Sequence, residues 1–263
     1  MPAEPLVWMA RTGYMARGVV FLIVGTFAFL AASGAGARPH GVSDSLQTVL
    51  AQPFGAVLLW IIALGLACFA GWRLLQGIFD ADRMGKSLPG LCRRAGFTVS
   101  ALFYLGLAAI VSHIPLQTRG QSEDHAAQSW TRWLMMQPFG RALVAVIGGI
   151  FIGVAIALVV KVIRAPYRHR LAGQKLTRKS AVALGSFGIL TRAVVFCMIG
   201  LFLGYAAWYS DSRQAIGLAG ALRTLQHQTY GGALLAVAAC GLLAFGCFEI
   251  LEAAARRVHA PKL

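Results

Sequence analysis

Charge is scarce in this chain, and acid is scarcest. Only 13% of the 263 residues are charged, about half the share of an average soluble protein, and 9 are Asp or Glu. So few carboxylates exclude a surface solvated by mixed charge, and they leave little material for acid–base pairs or carboxylate metal sites. The five cysteines (Cys68, Cys92, Cys197, Cys240 and Cys247) never form C-x-x-C, which argues against a zinc site or a disulfide framework. No glycine-rich phosphate loop is present, and no nucleophile has a base at motif spacing, so nucleotide and hydrolase chemistry lack their parts. Asp80 with Asp82, and Glu123 with Asp124 and His125, are the nearest approaches to a metal site. Neither has a third partner at ligand spacing. His113 stands alone at the end of an apolar run, with no second histidine to make a haem pair. The sequence therefore offers no catalytic residue, no cofactor-binding residue and no metal ligand, and predicts a protein that is not an enzyme.

What is abundant is hydrocarbon. The chain is 58% hydrophobic, and the apolar residues form six runs: Gly18–Ser33, Phe54–Phe79, Ala95–Ile114, Phe139–Val160, Phe187–Trp208 and Tyr230–Leu251. Each is long enough to cross roughly 30 Å of hydrocarbon as a helix, the first once a turn is added at its start. Six crossings put both termini on one side.

The 24 Lys+Arg give a formal charge of +15, which in a soluble protein would suggest nucleic acid. Their positions argue otherwise. Arg38, Arg119, Arg132, Arg141, Arg213 and Arg223 flank the runs on one side, and Arg73 and Arg192 fall inside runs. The remaining sixteen of the 24 share the side of the termini. The positive-inside bias then predicts a multi-pass protein of the bacterial inner membrane with both termini in the cytosol. The partners it implies are the lipid bilayer and, at the cytosolic face, anionic headgroups; nucleic acid is not expected.

The first run, followed by Ala35-Gly36-Ala37, has the pattern of a cleavable signal peptide. An internal repeat argues against that reading. The stretch from Gly13 through Arg17 and Val20-Phe21 to Gly25 matches Gly188, Arg192, Val195-Phe196 and Gly200 at an offset of 175. A middle copy begins at Gly96, offset 83, with Ser100 in place of the arginine and Tyr104 over Phe21. A second signature opens each even-numbered run: Pro53-Phe54-Gly55, Pro138-Phe139-Gly140 and Thr229-Tyr230-Gly231, at offsets of 85 and 176. Proline in a helical first turn, an aromatic at headgroup level and a glycine for close approach predict a helix start. The short stretches ahead of it, 45–50, 130–135 and 221–225, have the spacing of amphipathic helices lying on the outer interface.

These paired signatures, over nearly the full length, resemble the bacterial membrane family named domain of unknown function 1206. The resemblance implies a six-helix inner-membrane protein and supplies no activity. Ser100 departs from its pattern in the second copy. Mitochondrial carriers also join three two-helix repeats through short interfacial helices, but their signature motifs are absent, so the analogy is one of architecture.

The expected fold is all-α: six transmembrane helices as three tandem hairpins, spanning residues 1–85, 86–165 and 180–256, with short interfacial helices. Within the spans, Arg17, Arg73, Arg192 and Glu249 fall in one layer. Arg73 lies roughly 28 Å along its helix at ~1.5 Å per residue, near the cytosolic face, and Glu249 is its equivalent at offset 176. One reading is an anion or headgroup site with Glu249 paired to Arg192 or Arg17; the other is arginines snorkelling to the interface. Gly149-x-x-x-Gly153 and Gly200-x-x-x-Gly204 have the spacing of touching helices. A long cytosolic loop is expected from Lys161 to Ser186; it carries seven Lys+Arg and no acid, and should lie against anionic lipid. Together these features predict a lipid-interacting or scaffold protein. The alternative is a permease or channel for a small anionic solute, gated by the charge layer.

Overall fold

The computed structural model describes residues 4–34, 41–80, 85, 87–116, 123–164 and 175–255. Among them there is no strand. Six long helices carry the apolar runs: α1 (Glu4–Ala32), α3 (Gly55–Ile78), α4 (Leu88–His113), α6 (Gly140–Arg164), α7 (Lys175–Tyr209) and α9 (Gly231–Ala255). All six are long and apolar enough to cross a membrane. Three short helices, α2 (Val42–Leu50), α5 (Glu123–Met135) and α8 (Leu218–Gln226), precede the second helix of each hairpin. The first span is longer than its apolar run, reaching back to Val7, because residues on both sides of Arg17 continue the helix.

The spans form an arc in the order α4, α3, α1, α9, α7, α6. Contacts between repeats are the more extensive: α1 lies on α9, α3 on α4, and α6 on α7. Within repeats, α1 packs on α3 and α7 on α9, whereas α4 and α6 end the arc and make no extensive contact with each other among the described residues. The repeat glycines follow this pattern. A Cβ on Gly13 would meet the Phe69 backbone at 2.6 Å, and one on Gly188 would meet the Phe245 backbone at the same distance; the equivalent Gly96 faces open space. Missing side chains thus let α1 and α7 approach their hairpin partners, and the second hairpin makes no such approach.

The shared helix starts have one hydrogen bond in common. The N–H groups of Gly55, Gly140 and Gly231 donate to the carbonyls of Gln52, Gln137 and Gln228 at 2.9, 2.9 and 2.8 Å. The helices begin at these glycines, so Pro53 and Pro138 sit in the connecting turn and not in the first helical turn. Phe54 and Phe139 adopt φ of 62°, the left-handed conformation that reverses the chain. Their side chains, with that of Tyr230, stand out from the protein at 86%, 85% and 77% exposure. A Cβ on any of the three glycines would collide with a carbonyl at the end of the preceding short helix.

Of the two glycine pairs expected at helix crossings, half of one is used. Gly148 and Gly200 meet where α6 crosses α7, and a Cβ on Gly200 would lie 2.8 Å from the Gly148 carbonyl oxygen. Gly149, Gly153 and Gly204 face open space. The sequence spacing found the right helices and a register one residue off on α6.

Candidate functional site

The four charged residues expected in one layer do not all point the same way. Arg17 and Arg192 turn inward and are 6% and 8% exposed; Glu249 is 3% exposed, and Arg73 is half-buried. Glu249 Oε2 lies 3.2 Å from Arg17 Nη1, an ion pair joining α1 to α9. Arg73 stands apart from this pair, its Nη1 donating to Gln76 Oε1 at 3.2 Å.

Aromatic rings surround the guanidinium groups. Arg17 Cζ lies 4.9 Å from the Phe69 and Phe245 ring centroids and 5.3 Å from that of Tyr104. Arg192 Cζ lies 4.5 Å from Phe245, 5.0 Å from Phe196 and 5.1 Å from Phe21. Arg73 lies over Phe69 and Phe97, at 4.9 and 5.1 Å. The rings also touch edge to face, Phe69 with Tyr104 at 4.7 Å and Phe21 with Phe245 at 4.8 Å. A cation over a ring face recovers about 0.5–2 kcal/mol, depending on desolvation, against the cost of leaving water.

The layer repeats itself. Phe245 is the offset-176 equivalent of Phe69, so each arginine packs on the same position of its own hairpin's second helix. Each also packs on the equivalent aromatic of another repeat: Arg17 on Tyr104 of the second, and Arg192 on Phe21 of the first. The third corner would place an arginine at residue 100 and has Ser100 instead. Counter-charges follow the same rule. Glu249 meets Arg17 across the α1–α9 interface; across the α6–α7 interface the equivalent position is Leu158, which packs near Ile189. Arg192 has no ion-pair partner among the described residues, and the reason is that substitution.

Sequence reasoning named the four charges and missed the rings they pack on, although Phe69 and Phe245 share the repeat offset. It also missed two arginines that bind helix ends. Arg94 donates to the Gly77 and Ile78 carbonyls at 2.9 and 2.7 Å, and Arg141 to those of Ala207 and Trp208 at 3.2 and 3.0 Å. Both complete carbonyls left unpaired where α3 and α7 end. Asp124 is structural as well: Oδ1 accepts the Gly217 N–H at 2.9 Å and Oδ2 forms an ion pair with Arg223, fastening α5 to the start of α8. Asp80 accepts the Gly85 N–H at 2.9 Å. Among the described residues no three His, Cys, Asp or Glu are grouped to hold a metal. His113 is exposed at the end of α4. Asp82 and residues 165–174 lie outside the described residues, and the rest of the loop expected over 161–186 is helical, belonging to α6 up to Arg164 and to α7 from Lys175.

Six apolar spans built from repeated hairpins around an inward-facing charge layer define a polytopic α-helical membrane protein. The chain belongs to the family Domain of Unknown Function (DUF1206), whose family model matches residues 12–80, 95–165 and 187–256. It is 34% identical over 246 residues, 92% of its own length and 88% of the relative's, to a protein of Bacillus subtilis (strain 168) described as "Uncharacterized protein YxxB". No solved structure matches the chain.

Proposed function

We propose that the protein is a non-enzymatic component of the bacterial inner membrane that binds anionic lipid headgroups at the cytosolic face, with both termini in the cytosol. One observation carries this reading: three arginines share the charge layer with a single carboxylate, and Arg192 has no acidic partner among the described residues. Arg192 faces inward, so its unmatched charge draws a lipid phosphate only where a gap between helices admits one. The basic stretch 161–186, with seven Lys+Arg and no acid, adds about 1 kcal/mol per charge near an anionic surface. A permease would need a wet path through the layer, and the burial of Arg17, Arg192 and Glu249 favours a lipid-binding body over a pore.

The test is the exchange of spin-labelled lipids at the protein boundary in vesicles of mixed composition. Phosphatidylglycerol is expected to associate several-fold more strongly than phosphatidylcholine, with the preference declining as salt rises. Equal association of the two would overturn the reading.

A further inference from the structure

Eight buried side-chain N or O atoms among the described residues have no hydrogen-bond partner, and three of them lie around the Arg17–Glu249 pair: the Nε atoms of Arg17 and Arg192, and the Tyr104 hydroxyl. All three residues are more than nine-tenths buried, Tyr104 at 4% exposure. Arg17 packs on the Tyr104 ring, and both guanidinium groups pack on the Phe245 ring, at 4.9 and 4.5 Å from its centroid. Buried polar atoms normally have partners, and unpaired ones beside an unmatched charge mark a place for a ligand.

The charge sum points the same way. Glu249 forms an ion pair with Arg17 and lies within the field of Arg192, which has no ion pair of its own among the described residues. Lys161 and Glu252 also fall within the field of the layer and contribute one charge of each sign, leaving the excess positive.

The second repeat is where the threefold pattern loses its charges and where the arc is open. Ser100 on α4 replaces the third arginine, Leu158 on α6 replaces the carboxylate that would serve Arg192, and α4 and α6 make no extensive contact among the described residues. Tyr104 lies one turn beyond Ser100 on the same face of α4.

We propose that this corner binds the phosphate group of an anionic ligand, whose oxygens accept from the Arg192 guanidinium and the Tyr104 hydroxyl while Arg17 adds attraction. A guanidinium suits phosphate because its N–H groups form a planar fork matching two oxygens. A phospholipid headgroup and a soluble phosphate ester share this chemistry. The separation of α4 and α6 favours the lipid, which could enter sideways from the hydrocarbon. This inference rests on the lipid-binding reading and narrows it from a surface preference to one defined site.

Native mass spectrometry and thermal melting of the full chain in detergent test the site, with phosphatidylglycerol, phosphatidylcholine, glycerol phosphate and inorganic phosphate as probes. Wild type is expected to retain one phosphatidylglycerol after all other lipid is stripped, and to melt at a higher temperature when it is added. Arg192→Gln should weaken retention roughly tenfold, as loss of a charge-assisted hydrogen bond does, and Tyr104→Phe less. Leu158→Glu provides the second control. By supplying an internal carboxylate it should raise the melting temperature without ligand and abolish retention, so a folding defect cannot mimic the result. Protection by the soluble phosphates and not by the lipid would support the site and assign it a soluble ligand.

Retention by Arg192→Gln and Leu158→Glu equal to wild type would overturn the inference. A general preference for anionic lipid persisting without one tightly held molecule would overturn the site alone. No preference in wild type would overturn the lipid-binding reading beneath it.

Discussion

Arg17 of the first repeat and Glu249 of the third meet at 3.2 Å, so one ion pair ties the beginning of the chain to its last span. Both are buried, and removing one partner from such a pair typically costs about 3–5 kcal/mol because the other charge is left alone. Glu249→Gln is expected to lower the melting temperature of the purified protein markedly. The double replacement Arg17→Met with Glu249→Leu should recover much of that loss, as measured by size-exclusion after heating.

Gly148 and Gly153 lie on the same helix and should respond in opposite ways. The Gly148 position faces the Gly200 carbonyl across the α6–α7 crossing, and Gly153 has no neighbour within 4 Å. Gly148→Leu should reduce the yield of folded protein, since a side chain there forces the helices apart. Gly153→Leu should leave yield and melting temperature close to wild type.

The helix-start glycines are expected to tolerate no side chain. Gly55→Ala and Gly140→Ala each place a Cβ against a carbonyl ending the preceding short helix. Either change should detach that helix from its span, visible as faster amide exchange across Val42–Leu50 or Glu123–Met135 with the spans themselves protected.

Asp124→Ala removes both contacts that fasten α5 to α8. The Gly217 N–H and the Arg223 guanidinium lose their acceptors together. Exchange should quicken in Leu218–Gln226 and stay unchanged in α1 and α3, and a uniform loss of protection would contradict this local role.

The spans and short helices were legible because each rests on a periodic signal: long apolar runs, and signatures repeated at fixed offsets. Positions of Arg17, Arg73, Arg192 and Glu249 along their helices could be counted from those runs. What counting could not supply was rotation. Whether Arg192 turns outward to headgroups or inward onto Phe21 and Phe245 depends on which helices are neighbours, and repeats alone do not state that order. The same gap explains the glycines: Gly149-x-x-x-Gly153 has ideal spacing, yet the face carrying Gly148 is the one that meets α7. The starts of α3, α6 and α9 were placed within two residues, whereas α1, α4 and α7 begin well ahead of their apolar runs, and the left-handed turn at Phe54 and Phe139 was hidden because an aromatic is an unusual residue for it.

Every claim about the charge layer depends on how the chain is threaded, and membrane-impermeant thiol labelling of His125→Cys and Lys175→Cys, each in a variant lacking the five native cysteines, tests this most directly. In sealed, right-side-out cells, residue 125 should react from outside and residue 175 only after the membrane is opened. Labelling of both from the same side would contradict the six-span threading and remove the basis for a cytosolic headgroup site.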